Sequence, residues 1–418
     1  MTGSAAPLND RGIDVCRGCL RQGLVSVLDL GDQPLANEMA HSQAAPDPAF
    51  PLHLMGCPEC GLGQVGEYVL PERIFGAEYP YLSSVSSSWL AHAGTYAQTM
   101  RAALDLGGDD LVIEIASNDG YLLEQVQALG VRVLGVKPAG GVADIARAKG
   151  VPTVSEFFGL ETARRLVAEH GHPRLVAANN VMAHVPDLVD FTAGLAELCD
   201  DRTMITVENP SYLNLLREVQ FDTIYHEHFS YLTAHALTRV VERHGLRLVR
   251  VDRLATHGGS NRYWLTRDDR VAVEPSVDAT IQEELSSGLL SPELWEEFGR
   301  RSRAAVDGLR TWLDQQRESG RVVAGYGAAA KGNTLMNAAG VRRDDLAVVV
   351  DGSAAKQGKF LPGSQVPVVA PADLPQYGAD DVLILPWNIA DEISGILAAL
   401  VPETTSWVAV PEMRALSR

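Results

Sequence analysis

Two Cys-x-x-Cys pairs, Cys16/Cys19 and Cys57/Cys60, constrain the start of this chain more than any other feature constrains the rest. Thiolates two residues apart can turn both sulfurs toward one ion from a tight knuckle, and two knuckles complete a tetrahedron with no open position. That is the pattern of structural zinc; the competing reading is a set of unliganded or redox-active thiols. The fifth cysteine, Cys199, stands alone. The segment around the pairs is rich in turn formers and poor in helical periodicity. It is too small to bury a large core, so a metal staple would help it fold.

No apolar stretch follows basic residues at the N-terminus, so no secretory leader is expected, and no apolar run approaches the roughly 20 residues of a membrane span. A cytoplasmic location is expected, where reducing conditions favour metal over disulfides. The chain has 418 residues, which suggests two or three domains. Its formal net charge of −18 would repel a phosphate backbone, so neither nucleic acid nor membrane is an expected partner.

From Leu111 the pattern alternates β and α. Leu111–Ile115, Arg132–Val136, Leu175–Ala178 and Met204–Val207 read as strands with helical stretches between them, which predicts a mostly parallel sheet covered by helices on both faces. Ser291-Pro292 opens a helical run to Gln315. A second series follows, with strands at Arg321–Ala324, Leu346–Val350, Asp381–Leu385 and Trp407–Val410. The expected fold is therefore α/β: a small N-terminal zinc-binding domain (1–72), a Rossmann-like doubly wound domain (73–265) and a C-terminal Rossmann-like domain with a helical lead-in (266–418).

Three further segments carry chemistry. Glu114-Ile115-Ala116-Ser117-Asn118-Asp119-Gly120 follows the first strand and opens a helix, where backbone can approach a bound nucleoside. Its plain alternative is an ordinary capped turn. Tyr225-His226-Glu227-His228, with His184 some forty residues earlier, concentrates groups able to take a proton beside a ketone and donate to the enolate oxygen. Its alternative is a surface polar run. Gly325-Tyr326-Gly327-Ala328-Ala329-Ala330-Lys331-Gly332-Asn333-Thr334 turns from a strand into a helix N-terminus, a natural anion site, but it matches neither a P-loop nor G-x-G-x-x-G.

Taken in order with Leu30–Asn37, Asn179–Asp187, Phe221–His228, Thr256–Ser260, Lys356-Gln357-Gly358 and Pro386-Trp387-Asn388, these segments resemble the three-domain, zinc-binding sugar C-methyltransferases of deoxysugar and antibiotic biosynthesis over nearly the full chain. The resemblance implies S-adenosylmethionine and structural zinc as cofactors. It implies a dTDP-linked 4-keto-6-deoxysugar as substrate, methylated at C3 through an enolate, by a monomer or small homo-oligomer. Carried over by position, His228 is the leading base, with Tyr225, Glu227 and His184 orienting the sugar or stabilising the enolate. Glu114, Ala116, Ser117, Asn118, Gly120, Lys137, Pro138, Asn179 and Asn180 fall on the cofactor. Tyr79, Tyr81, His226, His257, Lys331 and Asn333 fall on the substrate.

Two residues depart from the pattern: Gly352, after Asp351, stands where an arginine is expected, and Lys137 alters the cofactor site. Where the family reads Gly-Ile-Glu-Pro-Ala, this chain has Gly135-Val136-Lys137-Pro138-Ala139. Lys137 has only donors, so it cannot replace a carboxylate that accepts from ribose hydroxyls. Two alternatives follow from that change: a methyl-independent enolising enzyme (an epimerase or isomerase), or a non-catalytic nucleotide-sugar-binding protein.

Overall fold

The computed structural model describes residues 14–42, 47–66, 69–74, 82–138 and 140–416. Among them the chain builds three sheets. β1 (Val25–Pro34), β2 (Ala49–Gly56) and β3 (Gly63–Val65) pair antiparallel in sequence order.

The second sheet holds β4 (Leu111–Ile115), β5 (Arg132–Val136), β6 (Thr153–Val154), β7 (Leu175–Asn179) and β8 (Met204–Pro210), all parallel. β4 is buried along its whole length, as an apolar strand covered on both faces must be. β9 (Ser230–Tyr231) leaves this region and pairs with β3, so it completes the first sheet. β10 (Arg247–Leu254) and β11 (Ser260–Thr266) then return antiparallel, giving the order β10-β11-β8-β7-β4-β5-β6. Strand order reverses at β4, whose neighbours are β5 and β7, and ligands of open α/β sheets bind at the carboxyl ends of such strands.

A 27-residue helix, Pro292–Glu318, capped by Ser291, leads into the third sheet. β12 (Val323–Tyr326), β13 (Val349–Val350), β14 (Val368–Val369), β15 (Asp381–Ile384) and β16 (Thr405–Val408) are parallel, and β17 (Arg414–Ala415) closes the edge antiparallel. The strands read from sequence all reappear, displaced by one to three residues at some ends. What the sequence missed is the antiparallel β10–β11 extension, the N-terminal sheet and the two-residue strands β6, β14 and β17.

The N-terminal sheet does not close a core of its own. Val27, Leu28, Leu52 and Leu54 share one apolar cluster with Trp295, Phe298 and Leu309 of the long helix, with Val349 and Leu383 of the third sheet and with Leu335 of the Ala330–Ala338 helix. No helix of the described residues is long and apolar enough to cross a membrane.

Candidate active site

The cysteine pairs sit on twin turns. The Leu20 amide closes one on the Cys16 carbonyl and the Gly61 amide closes the other on Cys57, both at 2.8 Å. The four sulfurs lie within 4.8 Å of one another, with Cys16–Cys60 and Cys19–Cys57 at 3.5 Å. Zinc–sulfur bonds of about 2.3 Å give a tetrahedron with edges of about 3.8 Å, so this set fits zinc. Four such thiols resist ionising together: contact with Cys16 and Cys57, then burial, pushes the Cys60 thiol far up. A bound cation removes that conflict.

At the carboxyl ends of β4, β5, β7 and β8 lies a cavity of about 530 Å³. One wall is Ile115, Ala116, Asn118, Val136, Lys137, Pro138, Asn179 and Asn180. Ala116 (φ 59°), Asn118 (φ 48°) and Asn180 (φ 52°) all hold left-handed backbone, a strain that persists where surrounding structure over-determines it and that clusters at ligand sites. Asn118 fixes its loop by accepting from the Ser83 and Asp119 amides at 3.0 Å each. Asn179 Oδ1 and Asn180 Oδ1 are buried without a donor among the described residues. Unmet acceptors beside an apolar wall fit a nucleoside cofactor such as S-adenosylmethionine.

Glu114 and Ser117, 1% and 0% exposed, do not reach the cavity. Gly120 does not reach it either. Its φ of 83° starts the Tyr121–Ala128 helix, and a Cβ there would crowd Val151 Cγ2 at 3.1 Å.

The opposite wall holds the histidines. A turn closed by the His228 amide on the Tyr225 carbonyl (2.9 Å) brings the two side chains together. His228 Nδ1 lies 3.0 Å from the Thr223 carbonyl, which can only accept. Nδ1 therefore carries the proton, Nε2 the lone pair, and the Tyr225 hydroxyl donates to Nε2 at 2.9 Å. His184 donates from Nδ1 to the Glu227 carbonyl at 2.8 Å, which likewise leaves its lone pair on Nε2. The His184 and His228 rings meet edge to face at 4.7 Å.

Burial, then repulsion from His184, holds His228 well below 6.5. Burial takes His184 down to about 4; its bond to the Glu227 carbonyl opposes this and Lys137 adds to it. Both are neutral bases at neutral pH. The Glu227 carboxylate accepts from Asn37 Nδ2 at 2.5 Å, so the zinc-bearing segment reaches into the site.

The third sheet supplies the floor. Gly327 (φ 89°) turns the chain where a Cβ would stand 2.6 Å from Pro386 Cδ, and the Ala330–Ala338 helix starts just beyond it. Lys331 Nζ donates to Asn388 Oδ1 at 2.7 Å, lies 4.6 Å from the Trp387 ring centre and is attracted by Asp222. Lys356, donating to the Ala328 carbonyl at 2.7 Å, lines the same end. His257 completes the lining against Trp89, their rings 5.1 Å apart.

One cavity thus gathers Ala116, Asn118, Lys137, Pro138, Asn179, Asn180, His184, Tyr225, Glu227, His228, His257 and Lys331. Two expected substrate residues turn elsewhere. His226 donates from Nε2 to the Phe50 and Pro51 carbonyls, 3.2 Å each, and so ties its loop to β2. Asn333 donates to the Ala36 carbonyl at 2.6 Å, 1% exposed, joining the third sheet's helix to the N-terminal segment. Tyr79 and Tyr81 lie outside the described residues. Trp89, Tyr121, Phe157, Phe158, Asn209 and Lys356 also line the cavity, and sequence reasoning gave none of them a role. Phe157-Phe158 follows a strand end and Asn209 is next to last in β8, the positions that could have flagged them.

Residues 16–75 match the family model for a zinc binding domain, 93–251 that for a methyltransferase domain, and 255–411 that for a C-methyltransferase C-terminal domain. C-methyltransferase NovU of Streptomyces niveus is 34% identical over 388 residues, 92% of each chain. The chain belongs to the zinc-binding C-methyltransferases. Solved structures resemble only part of it. The magnesium protoporphyrin IX methyltransferase of Synechocystis PCC 6803 with bound SAH covers 47% of this chain and 92% of its own (14% identity, TM-score 0.34). The CcbJ methyltransferase of Streptomyces caelestis covers 46% and 97% (15% identity, TM-score 0.35). Those scores are too low to align their sites with this one.

As a member of this family the enzyme is a C-methyltransferase that uses S-adenosylmethionine, and the Cys16, Cys19, Cys57 and Cys60 cluster fits the zinc of its zinc-binding domain. The methyl-independent and non-catalytic alternatives lose their support, and Lys137 must be understood within a methyltransferase.

Proposed function

We propose that this C-methyltransferase acts at C3 of a dTDP-linked 4-keto-6-deoxysugar, beside the ketone, through an enolate. The observation that carries the reading is the neutral Tyr225–His228–His184 group facing the cofactor wall across one cavity. S-adenosylmethionine supplies an electrophilic methyl group on a sulfonium. The residues of the chain supply the nucleophile.

The C3–H bond breaks with its proton going to His228 Nε2; its electron pair forms the C3–C4 double bond as the carbonyl π pair moves to the ketone oxygen. Thr223's carbonyl, already accepting from Nδ1, stabilises the imidazolium that results. Tyr225, released from Nε2, donates to the enolate oxygen, where hydrogen bonds count most. Held against Asn118, Asn179 and Asn180, the cofactor would supply its methyl to the enolate carbon as the carbon–sulfur bond breaks and the sulfonium leaves as a neutral thioether. His184 packs against His228 and Glu227 holds the sugar hydroxyls. Lys331, at the start of a helix, and Lys356, on a neighbouring turn, match the diphosphate of a nucleotide-linked sugar, which an otherwise acidic protein needs local cations to hold.

Incubation with dTDP-4-keto-6-deoxyglucose and S-adenosylmethionine should give a product heavier by one CH₂, with the methyl on C3 by NMR. In D₂O without cofactor, exchange should occur at the same carbon. A methyl on C5, the other carbon flanking the ketone, would keep the enolate chemistry and overturn the position. Neither exchange nor methylation would overturn the substrate class.

A further inference from the structure

Asn209, next to last in β8, has its side chain in the cavity wall, 1% exposed, and neither its Oδ1 nor its Nδ2 meets a hydrogen-bond partner among the described residues. An amide buried with both its donor and its acceptor unmet is costly unless a ligand completes it. Side chains alternate along a strand. Thr206 and Glu208 turn to the Ser87–Leu104 helix, bonding Tyr96 at 2.5 Å and His92 at 2.9 Å. Asn209 therefore points to the other face, where β8 packs on the Met182–His184 turn. The Asn180 amide donates to the Glu208 carbonyl at 2.7 Å, which sets Asn180 and Asn209 side by side. Asn209 thus stands one strand beyond the cofactor wall, toward the catalytic histidines.

We propose that Asn209 reads the reacting end of the sugar: Nδ2 donates to the ketone oxygen and Oδ1 accepts from the hydroxyl on a neighbouring carbon. The residue selects α-hydroxy ketones. A primary amide offers one donor and one acceptor side by side in a plane, and an α-hydroxy ketone offers the complement. A site built around a substrate hydroxyl rejects the analogue lacking it far more strongly than an apolar pocket does, because its own polar atoms are then left unmet. The assignment rests on the keto-sugar reading above. It adds a specificity determinant on a residue that the catalytic cluster does not contain.

The test compares two dTDP-4-keto sugars, one with and one without the hydroxyl beside the ketone, on the native enzyme and on Asn209→Leu. The native enzyme should favour the hydroxylated sugar in kcat/KM by about 10- to 100-fold. Asn209→Leu should bring the ratio to about one. Its affinity for S-adenosylmethionine by calorimetry and its zinc content should match the native values.

If Leu impairs folding, the isosteric Asn209→Asp carries the test. It loses the donor to the ketone, so turnover of both sugars should fall about 10-fold or more while the hydroxyl preference stays. Unchanged turnover would overturn the assignment. A native-like ratio in Asn209→Leu would also overturn it. So would a parallel loss of S-adenosylmethionine affinity, which would move Asn209 to the amino-acid end of the cofactor. If the native enzyme accepts neither sugar, the keto-sugar reading itself falls, and this assignment with it.

Discussion

Lys137 buries an ammonium in the cavity wall just past β5, 7% exposed. Burial lowers its pKa and the nearby Glu227 carboxylate raises it. The residue that breaks the family pattern is therefore held between the two halves of the site, and its charge helps keep His184 neutral. A base works above its pKa, so with His228 held well below 6.5 the acid limb of turnover should lie below 6.5 as well. Lys137→Met removes the repulsion, and His184 should then protonate at higher pH. The acid limb should then rise, because a protonated His184 opposes the charge His228 must take up, read from kcat against pH at saturating cofactor. An unmoved limb would show that His184 does not govern the reaction. His228→Ala should cost about 10²–10⁴ in turnover, with S-adenosylmethionine binding kept. Loss of fewer than ten-fold would transfer the base role to His184.

Among the elements, the N-terminal sheet matters beyond its own fold. Its last strand, β3, pairs with β9 through Gly63–Tyr231 and Gln64–Ser230. Arg17, between two zinc ligands, donates to the Val65 carbonyl at 2.6 Å and the Phe229 carbonyl at 2.8 Å. Those contacts begin one residue after His228. Cys57→Ser should lose zinc, because metal affinity and folding are one free energy here. It should also loosen the 225–231 segment and abolish turnover while the β4–β8 sheet persists. Metal analysis and hydrogen exchange read both effects. A zinc-free protein with native protection at 225–231 would show that the two are not coupled.

At the scale of the molecule, the site is assembled from three sheets: Asn37 from the first, the cofactor wall and histidines from the second, and Lys331 and Lys356 from the third. The joint between first and third is apolar. Trp295, fully buried, fills the space beside Gly56, where a Cβ would stand 2.9 Å from its ring. Trp295→Ala should cost about 3–5 kcal/mol, measured by denaturant unfolding. It should raise the KM for the nucleotide sugar more than the dissociation constant of the cofactor, since the cofactor wall lies wholly on the second sheet. Equal losses would mean that the cofactor site also depends on the joint.

The sequence by itself determined the local structure. Apolar runs fixed the buried strands, because a strand covered on both faces must be apolar throughout. Cysteine spacing fixed the metal, because two knuckles supply four sulfurs. The order of motifs fixed the family. Only the tertiary structure decided which residues face one another. His226 and Asn333 sit in the same motifs as His228 and Lys331, yet backbone direction turns them to carbonyls of the N-terminal segment. Lys137 reads as a broken cofactor contact until Glu227, ninety residues on, is seen to share its cavity. Asn209 is an unremarked strand residue until its amide proves to have no partner among the described residues. Chain pattern specifies which groups are buried; partners far apart in sequence are set by packing, which no single segment encodes.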